Sequence, residues 1–204
     1  MKNQNLIIVF TRNPELGKVK TRLAKTIGNA SALKIYTFLL EHTEKTIKNI
    51  ASDKAVYYSV KVRDHDIWDN TIYQKHLQEG DDLGYRMLHA FQDAFQKKYQ
   101  KVVIVGSDLF DLKENHIQEA FKELENHDVV IGPAKDGGYY LLGMKTLHTN
   151  VFKNKAWGTS SVFKDTMKDL QKFKIHHLEK LNDIDTFEDM EHNSELKKLI
   201  IQND

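Results

Sequence analysis

The chain has 204 residues, 40% of them hydrophobic, with 30 basic and 29 acidic side chains and a formal net charge of +1. Such a length suits one compact domain over residues 1–204, and the balanced charge disfavours a general nucleic-acid or membrane-surface role. There is no cysteine, which excludes disulfides, thiol nucleophiles and thiolate metal sites and leaves oxygen or imidazole as metal ligands.

In chain order, the polar start Met1–Asn5 leads into the apolar run Leu6–Phe10. That run is too short for a signal-peptide core, and no stretch approaches the roughly 20 apolar residues of a membrane span. The expectation is a soluble, cytoplasmic protein. Leu6–Phe10 reads as a central strand, apolar at every position. Ser31–Ile50 reads as a helix with Leu33, Tyr36, Leu40, Thr43, Ile47 and Ile50 on one face. Strands follow at Ala55–Val60 and Thr71–Leu77, then a helix over Gly84–Gln96 and a fully apolar strand at Val102–Val105. A helix over Glu114–Leu124 precedes strands at Val129–Ile131 and Tyr139–Met144. A helix over Ser160–Phe173, a short strand at Ile175–Leu178 and a last helix starting near Asp185 complete the chain. Asp185 and Glu188 stand at capping-box spacing. Regular alternation predicts an α/β fold, a mostly parallel sheet with helices on both faces.

Four segments carry chemistry. The first follows the first strand: Phe10-Thr-Arg-Asn-Pro-Glu-Leu-Gly-Lys-Val-Lys-Thr-Arg-Leu23. It sets Arg12, Lys18, Lys20 and Arg22 at a strand's carboxyl end, where open α/β sheets bind ligands. Arg grips phosphate oxygens bidentately and Lys serves as a point charge. If the loop is extended, Lys18, Lys20 and Arg22 share one side; if Lys20–Ala24 begin a helix, its amides join them. The segment lacks the Walker A spacing.

The second is Val102-Val-Ile-Val-Gly-Ser-Asp108. A carboxylate just past a rigid apolar strand suits Mg²⁺ or Mn²⁺, which combines one or two carboxylates with substrate phosphates; alternatively Asp108 caps the following turn. The third is Gly132-Pro-Ala-Lys-Asp-Gly-Gly-Tyr-Tyr140, a turn signal that places Asp136, Gly137 and Gly138 at the same sheet edge. The fourth is Leu181-Asn-Asp-Ile-Asp185, where Asp183 and Asp185 alternate and face one way if extended. One of them completes a metal shell with Asp108, or Asp185 caps the last helix. Similarly, in Gly80-Asp-Asp-Leu-Gly84, Asp82 either caps a helix or holds a ligand. Thr159 or Ser160 reads as an N-cap, and the scattered histidines predict no histidine-based metal site and no Ser-His-Asp triad.

Taken in order, these segments resemble the DUF2064 family, the rSAM/selenodomain-associated transferase 1 proteins, within the GT-A-like nucleotide-diphospho-sugar transferase superfamily. The matching segments run nearly end to end and include Gly80-Asp-Asp-Leu-Gly-Tyr-Arg-Met87, Gly106-Ser-Asp108, Trp157-Gly-Thr-Ser160 and Asp183-Ile-Asp-Thr186. Lys20-Thr-Arg-Leu-Ala24 is also similar to a segment of phospholactate guanylyltransferases. The resemblance implies a GT-A fold, a three-layer α/β/α sandwich, with a nucleotide in the cleft beside the first strand. It implies Asp108 as a metal ligand and Asp185 or Asp183 as a second. One departure is visible: Phe110 stands where the family has proline, two residues after the aspartate.

The reading that follows is a metal-dependent transferase with a nucleotide-linked donor and an unidentified acceptor. Asp108 and Lys20 are the catalytic candidates. Arg12, Lys18, Lys20, Arg22, Gly80 and Asp82 bind the nucleotide; Asp136, Gly137 and Gly138 meet the substrate; and Asp108, Asp185 and Asp183 hold Mg²⁺ or Mn²⁺. Asp136 is a candidate general base. A nucleotide-sugar donor is favoured slightly, on the family's name. The alternatives are a nucleoside triphosphate donor and a non-catalytic nucleotide-binding protein.

Overall fold

The computed structural model describes residues 3–200. Seven strands form one sheet: β1 (Asn5–Thr11), β2 (Asp53–Tyr58), β3 (Tyr73–Leu77), β4 (Lys101–Gly106), β5 (Val129–Pro133), β6 (Tyr139–Met144) and β7 (Ile175–His177). Their order is β3-β2-β1-β4-β6-β5-β7. All neighbouring pairs are parallel except those made by β6, which runs antiparallel to both β4 and β5. The reason is local. Asp136-Gly137-Gly138 closes a tight turn, with Ala134 N–H donating to Gly138 O at 3.0 Å. So short a connection can only return the chain antiparallel.

Alternation along the strands makes two cores. On one face Ile7, Val9, Val103 and Val105 meet Tyr36 and Leu40 of α1 (Thr21–Ile47) and Ile117 and Phe121 of α3 (Glu114–Glu123). On the other, Leu6, Ile8, Val102 and Ile104 meet Met87, Leu88 and Phe91 of α2 (Leu83–Gln96) and Leu170, just past α4 (Val162–Asp169). The α/β expectation therefore holds, with helices on both faces of a mostly parallel sheet. A third cluster joins Leu23, Ile35 and Leu39 of α1 to Ile184, Met190 and Leu196 near the C-terminus. Burying a side chain such as Ile184, which is 4% exposed, contributes about 2 kcal/mol.

Several boundaries differ from the sequence expectation. The helix predicted from Ser31 begins at Thr21 and bends at Gly28, whose φ of 80° and ψ of 158° interrupt the ladder. The strand predicted to reach Val60 ends at Tyr58. The predicted Ser160–Phe173 helix is the shorter α4, and neither Thr159 nor Ser160 caps it: Ser161 holds the cap position, while the Thr159 hydroxyl donates to Ala156 O at 2.8 Å. No long helix starts at Asp185; a 3₁₀ turn spans Glu188–Met190 and α5 is only Ser194–Lys197. The capping direction is reversed there. Asp189 Oδ2 accepts from the amides of Asp185 (3.0 Å) and Thr186 (2.7 Å), so the Asp185 carboxylate is not used as a cap. No helix among the described residues is long and apolar enough to cross a membrane.

Candidate active site

The carboxyl ends of β1 and β4 meet the segment after β7 around one ammonium group. Lys20 Nζ donates to Asp108 Oδ2 and to Asp185 Oδ1, both at 2.8 Å. The Lys20 side chain is 4% exposed, whereas the two carboxylates are 37% and 38% exposed. Burial opposes the charged lysine, but the two carboxylates outweigh it and raise its pKa. Burial likewise opposes a charged Asp108, yet Lys20, with help from Arg12, holds its carboxyl below the usual range. Arg22 Nη1 approaches Asp185 Oδ2 at 3.6 Å from the rim.

Lys20 reaches this position through a strained backbone. Its φ of 47° and ψ of 44° are left-handed, immediately before α1. A non-glycine residue there costs on the order of 1–3 kcal/mol and persists when its surroundings over-determine it; two ion pairs do so. The loop is therefore not extended, and the three cations do not share one side as the extended case required. Lys20 points inward, while Lys18 lies exposed after a Glu15–Lys18 turn and Arg22 is 66% exposed.

A buried polar network fixes where the loop begins. Arg12 N–H donates to Tyr36 Oη at 2.9 Å, and that hydroxyl lies 3.1 Å from Arg12 O and 3.2 Å from Thr11 Oγ1. The Ser107 hydroxyl donates to Thr11 Oγ1 at 3.3 Å. Asn13, 4% exposed, accepts from the Val60 and Lys61 amides and donates to Lys61 O. Thr11, Tyr36 and Ser107 thus hold the β1 and β4 loops in register, and Asn13 ties the β1 loop to the segment after β2. Sequence reasoning placed Tyr36 in the core for its ring; its hydroxyl gave no signal.

Main-chain bonds bring the remaining acidic groups together. Ile184 N–H donates to Asp108 O at 3.3 Å, and Lys135 N–H to Leu181 O at 2.9 Å. Ile184 is buried against α1 between Asp183 and Asp185. Asp183 has its pKa raised to about 6, first by burial and then by the charges of Asp136, Asp108 and Asp185. These four carboxylates share one electrostatic neighbourhood, and two of them, Asp108 and Asp185, hold Lys20.

The glycines do other work. Gly137 has φ +92°, and a Cβ there would lie 2.3 Å from Ser160 O. Its lack of a side chain lets the turn pack against the approach to α4, where Phe163 N–H donates to Gly137 O at 2.9 Å. Gly138 N–H donates to Asp136 Oδ1 at 2.8 Å. Gly80 and Asp82 stand at the start of α2. Asp82 Oδ1 accepts from Tyr85 N–H at 2.8 Å, which is the capping alternative, and Gly80 O accepts from Arg86 Nε at 3.0 Å. No hydrogen bond or ion pair among the described residues joins Gly80 or Asp82 to the Lys20 group. Phe110 packs on α1, its ring 6.1 Å from Phe38 and 5.5 Å from His42. At this position Phe110 serves as packing, and Asp108, two residues before it, reaches Lys20.

Two of the histidines that look scattered in the sequence come together in the fold. His127 and His176, far apart in sequence, meet beside Glu123 on the sheet's outer edge. The available signal is the four-residue spacing of Glu123, the last residue of α3, and His127 in the turn after it.

Residues 43–159, more than half of the chain, match the family described as "Uncharacterized protein conserved in bacteria (DUF2064)", and the chain belongs to it. The matched stretch contains Asp108 and Asp136, while Lys20 and Asp185 lie outside it. A crystal structure of a candidate nucleotide-diphospho-sugar transferase from Desulfovibrio desulfuricans is 32% identical, with a TM-score of 0.86, covering 97% of this chain and 91% of that one. The 2-phospho-L-lactate guanylyltransferase of Methanocaldococcus jannaschii is 28% identical over 136 residues, 64% of this chain and 56% of that protein. The alignment thus spans little more than half the length of that curated relative. The 4-diphosphocytidyl-2C-methyl-D-erythritol synthase of Anaerococcus prevotii is 14% identical, with a TM-score of 0.60, covering 95% of this chain and 96% of that one. That last likeness shows the fold alone.

Proposed function

We propose that the chain is a transferase acting on a nucleotide-linked donor, with the donor's phosphates on the loop from Arg12 to Arg22. A divalent cation on Asp108 and Asp185 completes the reading. The observation that carries it is the placement of Lys20 Nζ, 2.8 Å from one oxygen of each of Asp108 and Asp185. These two carboxylates, from segments far apart in sequence, already converge on one positive charge. They are hard oxygen donors of the kind Mg²⁺ and Mn²⁺ prefer, so the residues fit such an ion with the ammonium as its stand-in. A divalent ion held there supplies neutralisation of charge on the donor's phosphates and on the leaving group.

The chain's own residues do the rest. Lys20, released from the carboxylates, turns its ammonium onto the donor phosphates. Arg12, Lys18 and Arg22 are exposed along the same loop and neutralise the outer oxygens. The Thr11–Tyr36–Ser107 network keeps that loop beside Asp108. Such preorganised positive charge, aimed at developing negative charge, is the main source of rate in phosphate chemistry.

Between donors, the cations favour a nucleoside triphosphate. Four cations in the loop suit its charge better than that of a diphosphate sugar. The preference for a nucleotide sugar rested on the family's name, and the described Desulfovibrio relative keeps it as the second reading.

A thermal-shift panel of nucleoside triphosphates and nucleotide sugars, with and without Mn²⁺, separates the two, because ligands stabilise by mass action. Release of pyrophosphate or of a nucleoside diphosphate then identifies the leaving group. Manganese-dependent shifts with triphosphates are expected. Shifts with sugar nucleotides alone support the second reading, and no shift with any nucleotide overturns both.

A further inference from the structure

On the far edge of the sheet, away from Lys20, Glu123 at the end of α3 and His127 in the turn after it face His176 on β7. One ligand atom from each of the three lies within 4.8 Å of the other two. Glu123 Oε2 is the hub: it lies 3.3 Å from His127 Nδ1 and 3.6 Å from His176 Nδ1. Metal–nitrogen and metal–oxygen bonds of about 2.0–2.1 Å in a tetrahedral zinc site put neighbouring ligand atoms about 3.4 Å apart. Both measured separations lie close to that edge length.

The outer arrangement is also that of a metal site. His176 Nε2 lies 2.9 Å from Glu119 Oε1. A carboxylate can only accept, so Nε2 carries the proton, and a neutral ring then turns the Nδ1 lone pair toward Glu123. Two acceptors facing each other at 3.6 Å repel unless a proton, a metal ion or a donating water lies between them, and a metal ion satisfies both at once. A carboxylate on the second nitrogen of a ligating histidine fixes its tautomer and raises its basicity. His127 Nδ1 also lies 3.0 Å from Glu123 O. That carbonyl keeps a partner without it, because it accepts from the His127 amide at 3.0 Å. The Glu123, His127 and His176 side chains are 20–27% exposed, open enough for an ion to enter and for water to supply a fourth ligand.

We propose that Glu123, His127 and His176, with Glu119 behind His176, bind a zinc-class divalent ion that clamps β7 to α3. Two imidazoles and one carboxylate select Zn²⁺, Co²⁺ or Ni²⁺ over Mg²⁺. The clamp has a purpose in the fold. Among the described residues, β7 is a three-residue edge strand paired to β5 alone. It leads through Leu178 and Leu181 to Asp183 and Asp185, so fixing β7 steadies the segment that carries them.

The test uses tag-free, full-length protein with Mg²⁺ in excess, titrated with Co²⁺ and followed by its visible absorption. The set is wild type, His176→Gln and Asp108→Asn. Wild type and Asp108→Asn are expected to bind one Co²⁺ and to melt several degrees higher with Zn²⁺. His176→Gln is expected to bind at least tenfold more weakly and to lose the Zn²⁺ shift. Should His176→Gln not fold, His127→Gln gives the same reading. Unchanged Co²⁺ binding in the histidine variants, or loss of binding only in Asp108→Asn, overturns the proposal.

Discussion

Lys20 Nζ and Asp185 Oδ1, 165 positions apart in the chain, lie 2.8 Å from each other beyond the carboxyl ends of β1 and β4. Removing the cation leaves Asp108 and Asp185 facing one another. Breaking a buried pair costs about 3–5 kcal/mol, and the partly exposed carboxylates reduce this to about 2 kcal/mol. Lys20→Ala is therefore expected to lose about that much stability in urea unfolding at pH 7. The contribution from Asp108, whose pKa is lowered, is complete above its ordinary 3.8 and disappears as pH falls through its lower folded value. If the carboxylates also hold divalent ions, Mn²⁺ restores much of the loss in Lys20→Ala. An equal response to Mn²⁺ in Lys20→Ala and in the double variant with Asp108→Asn counts against that pairing.

Asp189 holds the Asp185 loop by accepting two amides and the Thr186 hydroxyl through one oxygen. Asp189→Asn weakens three bonds to a charged acceptor. The expected cost is about 2 kcal/mol. Because Asp185 then loses its fixed position, nucleotide-dependent stabilisation should fall as well. Hydrogen exchange at the Asp185 and Thr186 amides reads the local effect; exchange as slow as in wild type speaks against it.

Gly137 and Gly158 have similar backbone angles, φ +92° and +81°, but different space around them. A Cβ at Gly137 meets Ser160 O at 2.3 Å, while nothing lies within 4 Å at Gly158. Gly158→Ala should cost only the left-handed backbone term, about 1–2 kcal/mol. Gly137→Ala should cost clearly more, because the Ser160 main chain must move. Equal melting temperatures for the two variants are the contrary outcome.

Asp183 is expected to make folding pH-dependent in the acid range. Its folded pKa of about 6 lies above the ordinary 3.8. The native state thus holds this proton more tightly, so the stability tied to it is present below pH 3.8 and lost as pH rises through 6. Asp183→Asn removes the charge. It should match wild type near pH 3.5 and exceed it at pH 7.5, by up to about 2–3 kcal/mol. A gap independent of pH assigns the effect to packing instead.

Much of this protein was legible in its residues. Leu6–Phe10 and Val102–Val105 are apolar at every position because both faces of a central strand are covered, and that pattern predicts the parallel centre of the sheet. The place of Asp108 just after such a strand and the density of cations after another are equally legible. The spacing leaves Asp82 as a cap or a ligand holder, and the fold uses it as a cap. Helix ends were less legible: Thr21–Ile27 has weak periodicity, and the bend at Gly28 breaks the pattern that marks α1 from Ser31 onward.

What the tertiary structure decided is pairing. Local residue order determines which segments form strands, which turns are tight and which side chains carry charge, because those depend on neighbours in the chain. It does not determine that Lys20 turns inward while Lys18 and Arg22 stay out, because that depends on carboxylates from β4 and from the segment after β7. Nor does it determine that Asp189 captures the Asp185 amide, or that His127 meets His176. These contacts join segments whose distance is set by the packed sheet and by Ile184 against α1. Charge placement was local information; charge compensation required the fold.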